Sequence, residues 1–186
     1  MTLVPLTQNV VTLLSSLTVF GQLIALVFLC SLLRETLTKK PTAIGTLLRR
    51  RGVLFLLVVA LVATLGSLFF SEIAGWTPCK LCWFQRICMY PQVVLLAIAL
   101  WRRDRTIAAY VLALCLIGMT FSLVQYAEQV YSLLHPGTEQ VCDGSGVSCA
   151  TTQLLTFGYI TIPLMALTAF VMNAVTALHL LRPKTA

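Results

Sequence analysis

Two close pairs of cysteines carry the most distinctive chemistry in this sequence. Two residues separate Cys79 from Cys82, and six separate Cys142 from Cys149. Closely spaced thiols either form and exchange disulfides or ligate a metal ion such as zinc. The other three cysteines stand alone in apolar stretches, where a thiol behaves as a small hydrophobic residue. We therefore interpret these three as core residues: Cys30, Cys88 and Cys115.

The first pair is expected at the start of a helix. Thr77 is a favourable N-cap residue, and Pro78 suits the first helical position. Cys79 and Cys82 would then lie in the first turns, on one face of the helix. The unpaired backbone N–H groups and the positive end of the helix dipole at that place favour a thiolate.

Arg86 interrupts an apolar stretch one helical turn after Cys82, with Gln85 beside it. A charged side chain at membrane depth is costly, which makes Arg86 a functional candidate. It can stabilise a thiolate, or a developing anion on an electron acceptor dissolved in the lipid. The alternative is that Arg86 extends to the outer headgroups along its aliphatic stem. Its spacing from Cys82 favours the functional interpretation.

The second pair lies in a long connection, the predicted redox loop over residues 128–157. Long connections without regular structure are usually functional or disordered. Glycines between Cys142 and Cys149 permit a small disulfide ring, and a small ring contributes little by loop-closure entropy. We therefore expect an exposed disulfide that the thiolate of another protein can reach. Whether the four cysteines rest as two sequential pairs or as a cross-pair stays open.

Zinc ligation by the same four cysteines, with His135 in reserve, is the competing interpretation. The spacing of Cys79 and Cys82 suits zinc, whereas the wider spacing of Cys142 and Cys149 is unusual. A zinc site gives no reason for an arginine beside the thiolates, and an oxidising compartment favours disulfides. We therefore predict no metal site.

The elements that must position these residues are membrane helices. Hydrophobic residues make up 59% of the 186 residues and charged residues only 10%, which excludes a soluble enzyme. Five apolar stretches each approach the roughly 20 residues that a bilayer requires: 10–33, 52–71, 82–101, 106–127 and 157–181. We predict an all-α membrane protein. Residues 1–51 form one additional N-terminal transmembrane helix with a basic linker, and residues 52–186 form a four-helix bundle core.

Lysine and arginine alternate between the connections in a way that orients the chain. They occur in residues 34–51, 102–105 and 182–184, and they are absent from residues 72–78 and 128–156. Positive residues mark cytoplasmic loops, so we expect an outside N-terminus, a cytoplasmic C-terminus and four cysteines on the outer side. The net charge of +7 then reflects topology and not nucleic-acid binding. Residues 1–9 lack the positive charge of a signal peptide, which favours a retained first helix.

The segment WTPCKLCWFQRICMYP at residues 76–91 closely resembles the signature of the DsbB/BdbC family of disulfide-generating membrane proteins, and of its BdbC branch in particular. The stretch ITIPL at residues 160–164 is also similar to that family, as is the order of the two cysteine pairs. The resemblance covers roughly residues 52–182. It does not cover residues 1–51, because the family has a four-helix core with its N-terminus inside.

This resemblance implies a quinone-dependent protein-disulfide oxidoreductase in the bacterial inner membrane. Its partner would be an extracytoplasmic thioredoxin-like thiol oxidase of the DsbA or BdbD kind, and its acceptor ubiquinone or menaquinone. By position, Cys79 and Cys82 match the membrane-proximal redox pair, with Cys82, Gln85 and Arg86 facing the quinone. Cys142 and Cys149 match the loop pair, and Cys142 is expected to form the mixed disulfide with the partner.

Two other functions remain open at the level of sequence. The same cysteine pairs could deliver reductant outward, because nothing in them sets the direction of electron flow. No cysteine lies in a cytoplasmic loop to receive electrons, however, which favours quinone as the acceptor. A structural membrane protein with two inert disulfides is the third possibility.

Overall fold

Five long helices make up the fold. The computed structural model describes residues 3–135 and 148–182. Its helices are α1 Leu3–Thr38, α2 Ala43–Leu68, α3 Lys80–Arg102, α4 Ile107–Leu134 and α5 Ile162–Leu181. All five are long and apolar enough to cross a membrane, and the described residues contain no strand beyond an isolated β-bridge between Thr156 and Ile160. The predicted all-α membrane fold with five spans is confirmed.

The helices differ from the predicted spans mainly at their ends. The Thr42 hydroxyl caps α2 by accepting from the Gly45 N–H at 3.0 Å, so most of the predicted basic linker is helical. Only residues 39–42 connect α1 to α2. At its other end α2 runs into one π-helical turn over Phe69–Ile73. The start of α5 is at Ile162 and not at residue 157, because a bridged turn precedes it and Pro163 occupies its first turn.

Helix α5 lies at the centre of the bundle, packed against α1, α2 and α4, while α3 packs between α2 and α4. The core is apolar and draws on four helices: Leu56, Ala60, Cys88, Met89, Leu96, Val111, Cys115, Ala169, Phe170 and Ala174. Gly118 admits the Phe170 ring, since a Cβ there would lie 2.3 Å from Phe170 Cζ. Cys88 and Cys115 are core residues as predicted. Cys30 is exposed, so its assignment to the core is wrong; its helix α1 contacts the bundle along one side only.

Hydrogen bonds between helices supplement this apolar packing. Asn173 Nδ2 on α5 donates to Gln92 Oε1 on α3 at 3.1 Å and to the Leu56 carbonyl on α2 at 3.4 Å. Gln92 Nε2 in turn donates to the Cys88 carbonyl at 3.0 Å. Polar side chains within membrane bundles form such interhelical bonds because lipid offers them no partner. These bonds tie α2, α3 and α5 together beneath the redox cysteines.

A buried ionic cluster fastens α1 to this core. Glu35 near the end of α1 accepts two hydrogen bonds, each 3.0 Å long, from the Arg49 guanidinium on α2. The Glu35 Oε2 also lies 3.9 Å from Arg182 Nη1, just after the end of α5. His179 Nε2 on α5 donates to the Phe28 carbonyl of α1 at 3.2 Å. Helix α1 therefore runs parallel to α5 and is bonded to both α2 and α5 at this end of the bundle.

Candidate thiol-disulfide redox site

The start of α3 positions the first cysteine pair. Cys79 is itself the N-cap, with an extended backbone at φ −74° and ψ 174°, and its carbonyl accepts the first intrahelical bond from the Trp83 N–H at 3.2 Å. The predicted cap at Thr77 is therefore wrong, because the chain stays extended through Pro78 and Cys79. Cys82 still lies in the first helical turn, where unpaired N–H groups and the helix dipole favour a thiolate.

The two sulfurs of this pair contact each other. Cys79 Sγ donates to Cys82 Sγ at 3.4 Å, and Cys79 is almost fully buried whereas Cys82 is half-buried. The hydrogen bond with Cys82, together with burial, raises the pKa of the Cys79 thiol. Cys79 is thus the hydrogen-bond donor of the pair and Cys82 the acceptor.

Cys149 from the long connection joins this pair. Its side chain hydrogen-bonds with Cys79, and it is only 1% exposed. The expectation of an exposed sulfur at this position is wrong, because residues 148–154 of the connection fold over the start of α3. Cys142 lies outside the described residues. Cys149, Cys79 and Cys82 thus form a line of sulfur contacts, in which Cys79 contacts both of the others.

Gln125 on α4 contacts both sulfurs of the first pair. Its Nε2 lies 3.2 Å from Cys79 Sγ and 3.2 Å from Cys82 Sγ. Its Oε1 accepts from Gln85 Nε2 at 2.7 Å, which fixes the amide with its N–H groups toward the sulfurs. Gln85 and Gln125 are both buried. The sequence prediction missed Gln125, although a lone glutamine in an apolar span was a signal that could have found it.

Arg86 is held at the edge of the site by α2 and by its own helix. Its Nε and Nη2 donate to the Ser67 hydroxyl and carbonyl at 3.0 and 3.1 Å, and its guanidinium lies 5.2 Å from the centre of the Trp83 ring. The Tyr90 hydroxyl donates to the Ser67 hydroxyl oxygen at 3.1 Å. These contacts hold the half-buried guanidinium against α2 and Trp83. An arginine that extended to the headgroups would not need them. Ser67 and Tyr90 were not anticipated from the sequence.

A cavity of about 320 Å³ opens beside Cys82. Cys79, Gln85 and Arg86 also line it, at its polar end. The rest of its wall comes mostly from apolar side chains of α1, α2 and α5. Ligand sites of this kind are largely apolar with a few placed polar groups. The arrangement suits a flat apolar molecule that acquires negative charge next to a sulfur.

The zinc interpretation gains no support from the part of the chain that the structure describes. No group of three or more histidine, cysteine, aspartate or glutamate residues there is placed to hold a metal ion. Within the same part, the contacts of Cys79 and Cys82 are to each other, to Gln125 and to Cys149.

Known proteins similar to this chain are concerned with disulfide formation. The family model described as "Disulfide bond formation protein DsbB" matches residues 49–180. Disulfide bond formation protein C of Bacillus subtilis (strain 168) is 47% identical over 117 residues, which are 62% of this chain and 81% of that protein. Probable disulfide formation protein C of Halalkalibacterium halodurans is 43% identical over 127 residues, covering 68% and 90%.

A third relative, the probable disulfide formation protein of Metapseudomonas resinovorans, is 40% identical over 128 residues, covering 69% of this chain and 88% of that protein. No solved structure gives a significant match. The segment matched by the family model contains all the residues of the redox site described above, but α1 lies outside it.

Proposed function

The chain belongs to the DsbB family of disulfide bond formation proteins, and on this premise we propose that it carries electrons from an extracytoplasmic protein dithiol to membrane quinone. The donor would be a thioredoxin-like oxidase of the DsbA or BdbD kind, which in turn forms disulfides in exported proteins. The observation that carries the proposal is the line of sulfurs from Cys149 through Cys79 to Cys82, which ends at an apolar cavity.

The partner reacts first with the loop disulfide. A thiolate of the reduced partner attacks Cys142 of the Cys142–Cys149 disulfide, so a partner–Cys142 bond forms and Cys149 leaves as a thiolate. Burial of Cys149 shields it from an outside protein, which directs the attack to Cys142. The second thiol of the partner then displaces Cys142 as a thiolate and releases the partner as a disulfide.

Electrons next move inward by exchange between the two pairs. The Cys149 thiolate attacks Cys79 of the Cys79–Cys82 disulfide, because Cys79 is the sulfur that it contacts. A Cys79–Cys149 bond forms and Cys82 leaves as a thiolate, stabilised by the helix N-terminus and by the Gln125 amide. The Cys142 thiolate then displaces Cys79 from Cys149. The loop disulfide is restored, and Cys79 and Cys82 hold the electron pair.

The cavity beside Cys82 fits a quinone ring. Its walls are mainly apolar, and its polar end carries the guanidinium of Arg86 and the amide of Gln85. Quinone, when bound there, would supply the two-electron acceptor for the Cys79 and Cys82 thiols, which return to the disulfide. Arg86 is held in place before the reaction by Ser67, so its charge can stabilise an anion at no reorganisation cost.

The placement of the basic residues supports a definite orientation in the membrane. The connections that hold lysine and arginine are at one end of the bundle, where Glu35, Arg49 and Arg182 meet. Cys79 and Cys149 are at the opposite end. Positive residues favour the cytoplasmic side, so the redox cysteines face outward from a bacterial cell membrane.

Quinone reduction by the purified full chain tests this function directly. With a reduced thioredoxin-like partner, the wild type should produce one quinol for each partner disulfide. Cys82→Ser should abolish quinone reduction, whereas Cys88→Ser, in the same helix but in the apolar core, should keep it. Reduction of an oxidised partner with matching oxidation of added quinol would instead establish flow in the opposite direction. A partner left unchanged by the wild type would show that the disulfides are inert.

A further inference from the structure

Helix α1 forms one wall of the cavity beside Cys82, although it lies outside the segment that the family model matches. Its cavity-lining residues include Leu14, Leu17, Thr18, Gly21 and Ile24. These positions are spaced by three, four, seven and ten residues from the first, which places them on one helix face. Helix α1 therefore presents a continuous face to the cavity over about 15 Å of its length.

The contacts of α1 show that this wall is fixed. Gly21 allows close approach to α5, because a Cβ there would lie 2.9 Å from Met172 Sδ. Gly66 on α2 meets Leu14 in the same manner, since its Cβ would lie 3.1 Å from Leu14 Cδ1. The Tyr159 hydroxyl, just before α5, donates to Gln22 Oε1 at 3.0 Å. Together with the Glu35 cluster at its other end, these contacts hold α1 against α2 and α5, the two helices that line the cavity beside it.

The cavity has two chemically different ends. Arg86, Gln85 and the two cysteine sulfurs lie at one end, whereas the length along α1 is lined mostly by apolar side chains of α1, α2 and α5, with Thr18 and Thr168 among them. A membrane quinone has the same two parts, a ring that accepts electrons and a long isoprenoid tail. With the ring against Cys82, the tail must leave along the apolar length of the cavity.

We propose that the cavity face of α1 is a specificity-determining wall, which holds the isoprenoid tail of the quinone whose ring lies at Cys82. This inference rests on the proposed quinone-reducing function. A lipid acyl chain shares the apolar character of the tail, but continuity of the cavity with the redox sulfurs assigns it to the quinone. Helix α1 thus makes the reaction depend on the tail as well as on the ring.

Two matched threonines on α1 provide the test. Thr18 and Thr12 each donate from the hydroxyl to the carbonyl four residues earlier, at 2.8 and 2.9 Å. Thr18 is buried and lines the cavity, whereas Thr12 is exposed and does not line it. Thr18→Phe should fill the cavity along α1, and Thr12→Phe should only add a ring to the outer surface. Leu17→Trp and Leu23→Trp form a second pair, should Thr18→Phe fail to fold: both leucines are about half exposed, but only Leu17 lines the cavity.

Two measurements on full-length protein in nanodiscs decide the matter. The first is the KM for a tailless methylated benzoquinone and for the long-tailed quinone that supports turnover. The second is the amount of quinone and phospholipid extracted per protein after purification. Thr18→Phe should raise the KM for the long-tailed quinone by at least about tenfold, since small volume changes in apolar pockets have effects of this size. It should leave the KM for the tailless quinone unchanged and retain less quinone, while Thr12→Phe should match the wild type.

The possible failures are distinguishable. Equal effects of Thr18→Phe on both quinones, or none on either, would overturn the role of α1 in binding the tail while leaving quinone reduction intact. Loss of bound phospholipid with normal quinone retention would assign the wall to an acyl chain and overturn it as well. A wild type that reduces neither quinone would overturn the proposed function itself.

Discussion

Removal of the Gln125 amide should lower the reactivity of Cys82 as a thiolate. In the structure, the buried Gln125 side chain places its Nε2 3.2 Å from Cys82 Sγ. Gln125→Leu introduces an apolar side chain of similar size and removes this donor. A hydrogen bond to a charged group contributes about 1.5–3 kcal/mol, and 1.36 kcal/mol corresponds to a factor of ten. The acid dissociation constant of the Cys82 thiol should therefore fall about 10- to 100-fold, and the thiolate fraction at neutral pH should fall with it.

Alkylation of the reduced protein measures this fraction, because iodoacetamide reacts with thiolates and not with thiols. The rate at Cys82 is followed by peptide mapping at a fixed neutral pH. Gln129→Leu is the matched control: it lies one turn further along α4, is also buried, and donates to the Thr151 carbonyl at 3.4 Å. Gln85→Leu removes only the 2.7 Å bond that orients Gln125, so its effect should have the same sign and be smaller.

The outcome at Cys82 also bears on turnover. A less stable Cys82 thiolate is a poorer leaving group in the exchange with Cys149, so transfer of electrons from the loop pair to Cys79–Cys82, and with it steady-state turnover, should slow in Gln125→Leu, whereas the first oxidation of the partner by the loop disulfide should stay normal. Equal alkylation rates at Cys82 in Gln125→Leu and Gln129→Leu would refute the reasoning. In that case the helix N-terminus alone accounts for the charge on this sulfur.

Three further predictions concern the relay, the arginine and the seating of α1. Cys149→Ser should accumulate a mixed disulfide with the partner on non-reducing gels and Cys142→Ser should not; equal trapping by both would withdraw the assigned roles. Arg86→Ala should lower quinone turnover by up to about 10²–10³-fold with normal single-turnover exchange, and Arg86→Lys, which lacks the planar fork, should fall between; a loss confined to exchange would contradict this. Glu35→Ala should cost about 3–5 kcal/mol by leaving Arg49 unpaired, seen as a lower Tm in detergent, whereas the exposed neighbour Arg34→Ala should not; equal shifts in both would contradict this.

Local sequence signals were sufficient for the framework of the site. Long apolar runs predict membrane helices because each run alone must satisfy its backbone within lipid, and all five spans were found in this way. The position of Cys82 in the first turn of α3 also followed from the residues around it. The cap at Thr77 did not, since either residue flanking Pro78 can keep the extended backbone that precedes a helix. In the structure the cap is Cys79, whose sulfur contacts Cys82 one turn later.

Contacts between distant segments were beyond the reach of these signals. The disulfide of Cys149 was predicted to be exposed because a small ring contributes little to stability, yet Cys149 is buried beside Cys79. Helix α1 was predicted as an addition to the core because the resemblance to a four-helix family does not cover it, and nothing in its own residues shows which helices it faces. Its role at the cavity depends on where Gly21 and Leu14 meet α5 and α2.

Polar residues in the apolar spans show where the limit lies. A glutamine in lipid is costly unless it is hydrogen-bonded, so each glutamine in a span indicates a hydrogen-bond partner elsewhere in the bundle. Gln92 finds Asn173 and serves packing, whereas Gln125 finds Gln85 and the cysteine sulfurs and serves chemistry. The two glutamines are equivalent in composition and hydropathy. Their depth in the bundle distinguishes them. Gln125 on α4 lies beside the first turn of α3, whereas Gln92 lies more than two turns further along α3.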